Sequence, residues 1–233
     1  MNMAHRSHPR SIASDRAEPT PAVLLVPGLC GSGPSHWQTI WEQQHAECSK
    51  VDLGRWQDPH RNTWINNLNL AIHRAGRPVV LVAHSLGCLA VAWWARFEQR
   101  EWAQRGEAGP VIGALMVAPP EVDFFPLDER VSRFAPTPSE QLPFPSRLIA
   151  SRNDPWMGFH TAQALARRWG STLVDVGEAG HINADSQLGE WSFGREQLAL
   201  LLSERRNDVD TASERPGSVV DRAAPARLQA AHG

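Results

Sequence analysis

The sequence predicts an α/β protein with a mostly parallel central sheet and helices on both of its faces. Two observations carry this. Short, unbroken apolar runs recur along the chain, and between them lie longer stretches in which apolar residues fall at helical spacing. Strands buried on both faces read as continuous apolar runs, because neither set of alternating side chains meets water. Strand–helix alternation then implies parallel pairing, since each crossover helix returns the chain to the same edge of the sheet.

The runs come in a clear order. AVLLV (22–26) ends at Pro27-Gly28, and CSKVDL (48–53) is a shorter candidate. PVVLVA (78–83) leads into His84-Ser85, VIGALMVA (111–118) ends at a Pro-Pro pair, SRLIA (146–150) precedes Asn153-Asp154-Pro155, and STLVDV (171–176) precedes a glycine-containing turn. Helices are expected at 35–47, 62–75, 86–104, 156–169 and 187–203. Trp37, Ile40 and Trp41 share one helical face, as do Phe159, Ala162, Leu165, Ala166 and Trp169. Residues 119–145 break the pattern: they are Pro-rich, open on PPEVDFFPLDE, and allow one short helical turn near 127–134. A connection this long inside a compact domain is expected to be a lid-like insertion. Residues 1–20 and 205–233 are polar or rich in small residues and cannot bury enough apolar surface to offset their ordering entropy. The sequence therefore predicts one folded body, 21–204, between two disordered tails.

Composition narrows the function. The 233 residues carry a net charge of −2, which argues against nucleic acid as partner, because phosphate recognition concentrates basic surface. Cys30, Cys48 and Cys88 are widely spaced and form no Cys-x-x-Cys pair, so neither a disulfide framework nor a metal site is expected. No apolar run approaches the ~20 residues of a membrane helix, and the first twenty residues lack a signal peptide's apolar centre. The expectation is a cytoplasmic protein with no membrane partner; oligomeric state has no signature here.

The chemistry is carried by PVVLVAHSLGCLAVAWWARF. An apolar strand runs into Ala83-His84-Ser85-Leu86-Gly87 and a helix follows at once. This is the strand–turn–helix setting of the nucleophile elbow, G-x-S-x-G, with alanine in place of the first glycine. Alanine meets the size requirement but is a poorer fit if the position needs positive φ. The bland alternative is a chance serine between small residues. Serine is a weak nucleophile that needs a base, and the base needs an orienting acid. Downstream of Ser85 stand only His160, His181 and His232. His232 lies in the tail and His160 inside an expected helix. His181, in the glycine-bounded VGEAGHINADS after the last strand, is the candidate base, with a surface loop histidine as the alternative. Asp154 is the candidate acid; Asp175 and Glu178 are rivals, and Asn-Asp-Pro is also an ordinary turn or a cap for the 156–169 helix.

The first strand ends in Pro27-Gly28-Leu29-Cys30-Gly31-Ser32-Gly33. A glycine-rich loop here can turn backbone N–H groups toward an oxyanion. Leu29 is the preferred donor and Cys30 the next, alongside the N–H of Leu86. A phosphate-binding loop is the rival, but the Lys-Ser/Thr ending and the G-x-G-x-x-G pattern are both absent. The ten tryptophans are expected mainly in the core, Trp93, Trp94 and Trp102 as helix packing. Trp56, Trp64 and Trp156, near presumed strand ends, are candidates for the wall of a substrate pocket, with core packing as the alternative.

The stretches VPGLCGSGPSHWQTIWE, RWQDPHRNTWINNL, VLVAHSLGCLAVAWWA, IASRNDPW and GEAGHINADSQLGEW together resemble the small single-domain serine hydrolases related to retinoblastoma-binding protein nine and to bacterial YdeN. They span about 21–202 in the family's order. The resemblance implies an α/β-hydrolase fold with a minimal lid, a triad at Ser85, Asp154 and His181, and no metal or organic cofactor. The expected reaction is hydrolysis of a small-molecule ester; a peptidase or amidase on aminoacyl substrates, and a non-catalytic binding protein of the same fold, are the alternatives.

Overall fold

The computed structural model describes residues 20–106 and 109–213. Six strands form one sheet: β1 (Ala22–Val26), β2 (Cys48–Lys50), β3 (Val79–His84), β4 (Val111–Val117), β5 (Ser146–Ala150) and β6 (Thr172–Asp175). Their order is β2-β1-β3-β4-β5-β6, and every neighbouring pair is parallel. Five α-helices connect or follow them: α1 (Trp37–Gln44), α2 (Arg61–Arg74), α3 (Leu86–Arg105), α4 (Phe159–Trp169) and α5 (Ser192–Ser213). This is the α/β-hydrolase architecture, with no closed barrel.

The unbroken apolar runs divide as a two-faced strand must, because successive side chains point to opposite sides. On one face Leu24, Val26, Leu81, Ala83, Met116 and Leu148 pack with residues of α2, α3 and α4, among them Trp64, Leu68, Trp94, Leu165 and Trp169. On the other, Val23, Leu25, Val80, Val82, Leu115, Val117 and Ile149 pack with Trp37 and Trp41 of α1 and Leu198 and Leu201 of α5. Trp93, Trp94 and Trp102 of α3 are all buried. The chain leaves β1 toward β2 on one side and returns to β3 on the other, so the crevice above the ends of β1 and β3 is the switch point where ligands bind in such sheets.

The structure departs from the sequence reading in several places: α1 ends at Gln44 rather than 47, β2 ends at Lys50 rather than 53, and α5 begins at Ser192 rather than 187. Helix α5 continues to Ser213, past the expected start of a tail at 205, because each residue added to a formed helix gains a hydrogen bond at little further cost. The rest of that tail, 214–233, and residues 1–19 lie outside the described residues. Helix α4 begins at Phe159 behind the N-cap Gly158 rather than at 156. Finally, most of the 119–145 insertion is not a free lid. Val131, Phe134, Leu142 and Phe144 are buried in the larger core, and the indole N–H groups of Trp93 and Trp169 donate to the carbonyls of Phe134 (2.7 Å) and Pro138 (2.8 Å). A 3-10 turn spans Glu129–Phe134, capped by the Asp128 carboxylate on the Arg130 N–H. The stretch around 123–127 carries its exposed apolar side chains, Phe124, Phe125 and Leu127.

Candidate active site

Strand β3 ends at His84 and α3 begins at Leu86, so Ser85 alone makes the turn. Its φ of 53° is left-handed, a conformation that costs a non-glycine residue about 1–3 kcal/mol and persists only where its surroundings enforce it. They do: the Ser85 N–H donates to Val117 O and its carbonyl accepts from the Cys88 N–H, both at 2.9 Å. Two glycines let the backbones close in. A Cβ on Gly87 would lie 2.4 Å from Val26 O, and one on Gly28 would lie 2.7 Å from the Ser85 Cβ. Ala83 needs no glycine, because it is ordinary strand with negative φ.

Ser85 Oγ lies 2.9 Å from His181 Nε2. On the other side of the ring, Nδ1 lies 2.9 and 3.0 Å from the two Asp154 oxygens. The side chains of His181 and Asp154 are 8% and 4% exposed, so this pair is shielded from water. An ionised carboxylate only accepts, which puts the imidazole proton on Nδ1 and leaves Nε2 to accept from the serine hydroxyl. Asp154 also takes the Trp156 N–H at 2.9 Å, so the turn role foreseen for Asn-Asp-Pro and the contact to His181 fall on one carboxylate.

The remaining candidates lie elsewhere. His160 is exposed on α4, beside Gln163. His232 is outside the described residues. Asp175 is held by Arg152 and by the Gly177 N–H, which keep its carboxyl below the usual range. Glu178 lines a neighbouring cavity of about 400 Å³ that does not include Ser85.

The loop carrying His181 is tied from several sides. Asn153 Oδ1 accepts the Gly180 N–H at 2.7 Å, and Ser151 Oγ accepts that of Ala179 at 2.9 Å. From α1, the Trp37 indole donates to Ile182 O at 2.9 Å and that of Trp41 to Glu190 O at 2.7 Å. His84 Nε2 lies 2.9 Å from the carbonyl of His181 itself. A carbonyl only accepts, so His84 carries its proton on Nε2. Burial, then the nearby His36 and His181, holds its pKa well below the ordinary histidine value, which keeps it neutral.

Ser85 opens onto a cavity of about 320 Å³, within the range of small-molecule sites. Leu29, Gly31, His36, Arg130, Trp156 and His181 are among its walls. Trp156 stacks on the His181 ring at 5.3 Å. Trp56 does not line this cavity: it lies behind the loop after β1, against Gly31 and Trp64, and its carbonyl takes the Cys30 N–H at 2.9 Å. That bond also removes Cys30 as the reserve oxyanion donor. The N–H groups of Leu29 and Leu86 meet no acceptor among the described residues, which leaves both free for a ligand oxygen.

Sequence reasoning missed His36, His84, Asp128, Arg130 and Asn183, all of which also line the cavity. His84 alone carried a signal, its place beside the nucleophile. The Arg130 guanidinium grips Asp128 through Nε and Nη2, and its Nη1 donates to Gln57 O at 3.0 Å.

Comparison with known proteins agrees with this architecture. A structure from Pectobacterium atrosepticum described as a YdeN-like hydrolase is 33% identical, with a TM-score of 0.67 over 79% of this chain and 91% of that one. The ydeN gene product of B. subtilis is 18% identical, with a TM-score of 0.62 over 79% of this chain and all of that one. A monoacylglycerol lipase from Paleococcus ferrophilus, at 15% identity and a TM-score of 0.56 over 80% of this chain and 96% of that one, shares the fold. Among curated proteins none matches. The family model described as serine hydrolase matches residues 23–200, and the chain belongs to that serine hydrolase family.

Proposed function

We propose that this hydrolase cleaves small carboxylic esters through an acyl-enzyme on Ser85, with His181 as base and Asp154 as its orienting acid. The observation that carries the reading is the continuous relay from Ser85 Oγ through the His181 ring to Asp154, every link at 2.9–3.0 Å. His181 Nε2 takes the hydroxyl proton as Oγ attacks the ester carbonyl. The oxyanion rests on the N–H groups of Leu29 and Leu86, fixed in place before the reaction begins. His181 then gives its proton to the leaving alcohol, and a water molecule activated by the same imidazole releases the acid.

The cavity of about 320 Å³ favours short acyl and alkyl groups over long lipid chains. The free thiols of Cys30, Cys48 and Cys88 favour a reducing, cytoplasmic setting, and no described helix is long and apolar enough to cross a membrane. Initial rates on 4-nitrophenyl esters from acetate to palmitate test the reading: turnover is expected to peak at about two to four acyl carbons, because the cavity stands at the low end of the ~300–1,000 Å³ range of small-molecule pockets. Turnover confined to the long-chain end of that series contradicts it.

A further inference from the structure

Helix α1 holds two parts of the site at once. Its Trp37 and Trp41 indoles fasten the loop that carries His181. Gln38, the residue after Trp37, is fully buried and reaches the ends of β1 and β3 instead. Its Nε2 donates to Val82 O at 3.0 Å and to Val26 O at 3.3 Å, and its Oε1 accepts from the Ser32 hydroxyl at 2.6 Å. Carbonyls only accept, so the NH2 group must face the two strands and Oε1 must face Ser32. The amide therefore has one orientation, with both of its polar atoms engaged. The Gln38 backbone N–H goes to His36 Nδ1 at 3.1 Å, and Thr39 beside it donates to Ser32 O at 2.9 Å.

The groups that Gln38 joins are the ones on which the two oxyanion donors are mounted. Val82 lies in β3, ahead of the elbow that presents the Leu86 N–H. Val26 ends β1, and Val26 and Ser32 bracket the loop that presents the Leu29 N–H. The pairing of β1 with β3 stops at Val26 beside Ala83, so both donors stand beyond the sheet ladder. The Val26 carbonyl is also where the elbow closes in, since a Cβ on Gly87 would lie 2.4 Å from its oxygen. Gln38 thus bonds a carbonyl that touches both donor segments. Filling the space requires none of this. An apolar side chain of the same length would do so without burying an amide, which is tolerated only where its partners are met.

We infer that Gln38 is a positioning residue of the oxyanion hole: without touching substrate, its side-chain amide clamps the loop after β1 to the nucleophile elbow and so sets the spacing of the Leu29 and Leu86 N–H groups. This rests on the proposed Ser85 hydrolysis. Two donors that share one developing oxyanion act only when already in place, and misplacing them costs orders of magnitude in rate.

The test uses Gln38→Met, which keeps the side chain's length and removes all three hydrogen bonds, and Ser32→Ala, which removes one of them from the half-buried end. Each is read well below its melting temperature by kcat/KM on 4-nitrophenyl butyrate and by the inhibition constant of 1,1,1-trifluoro-2-hexanone. Ser85 Oγ adds to the carbonyl of this ketone, its proton passes to His181, and the resulting alkoxide sits in the oxyanion hole. Gln38→Met is expected to lower kcat/KM by about 10- to 100-fold and to weaken the ketone by a matching factor. The apparent pKa of its kcat/KM profile should stay that of wild type, because the triad is intact. Ser32→Ala is expected to shift both readouts together by about fivefold, and it decides alone if Gln38→Met does not fold. A merely structural amide would lower the melting temperature and leave both readouts of the folded variants within about twofold of wild type. That result overturns the inference and leaves the Ser85 hydrolase intact, as does a loss of kcat/KM without the matching loss of ketone affinity, or with a shifted apparent pKa. Wild type that neither turns over the ester nor binds the ketone overturns both.

Discussion

Two stretches without strands meet at the cavity, and they are held in opposite ways. The loop between β6 and α5, which carries His181, is hydrogen-bonded to α1, to the end of β3 and to the turn after β5. The segment after β4 borders the same cavity through Asp128 and Arg130 and is fastened near its ends. The Glu121 N–H donates to Trp156 O at 2.7 Å at one side, and Arg130 reaches Gln57 O at the other. Between them Phe124 and Phe125 are 79% and 90% exposed. A base that must meet a serine within a few tenths of an ångström needs its backbone fixed, because small misplacements cost orders of magnitude in rate. A segment that only borders the substrate is free of that demand.

The largest effect separating the two regions is chemical. His181→Ala is expected to lower kcat/KM on a short 4-nitrophenyl ester by about 10⁴-fold or more, in line with losses at comparable serine triads. A loss below about tenfold, read from initial rates on folded protein, would put the base elsewhere.

Acid should act next, and through the pinned side. His36 ordinarily titrates near 6.5 but is held at about 4 in the fold by burial, with His181 and Lys50 adding to it; His84, also facing it, is depressed too. Above pH 6.5 His36 is neutral in both states. As pH falls below 6.5 the unfolded chain takes up a proton that the folded chain refuses, so stability declines until about pH 4, by about 3 kcal/mol for His36 alone. Urea midpoints at pH 7 and 4.5 check this: the drop in wild type is expected to shrink in His36→Asn, and an identical drop in both would contradict it.

A smaller effect comes from one of the pins. Trp37→Phe retains most of the ring but strips the Ile182 carbonyl of its buried donor, and is expected to cost about 1–3 kcal/mol in denaturant unfolding. Activity should fall alongside, since the neighbouring residue is His181. Phe125→Ser is the counterpart on the bordering segment and is expected to shift stability by less than about 0.5 kcal/mol, because the side chain is already in water. A large loss there would mean that the segment is packed like the loop opposite, and the contrast would fail.

What the chain reveals by itself follows the same division. The strands were legible because burial on both faces leaves unbroken apolar runs, and AVLLV and SRLIA coincide with β1 and β5. Ser85, Asp154 and His181 could be nominated because each stands in a local setting that sequence displays, and the structure brings their side chains together. Trp56 could not be placed, since a tryptophan near a strand end looks the same whether it faces a cavity or the back of a loop. Nor could His36 or His84 be assigned: their interest lies in which nitrogen is occupied, and that is decided by Gln38 in one case and by a carbonyl 97 positions away in the other. The extended α5 was hidden because its last turns are polar, and composition resembles that of a tail.

Treating wild type and Ser85→Ala with a fluorophosphonate and weighing the intact proteins asks whether Ser85 is the activated nucleophile. One covalent adduct is expected on wild type and none on the variant. An unmodified wild type that is demonstrably folded, or an adduct that persists in Ser85→Ala, would contradict that role for Ser85.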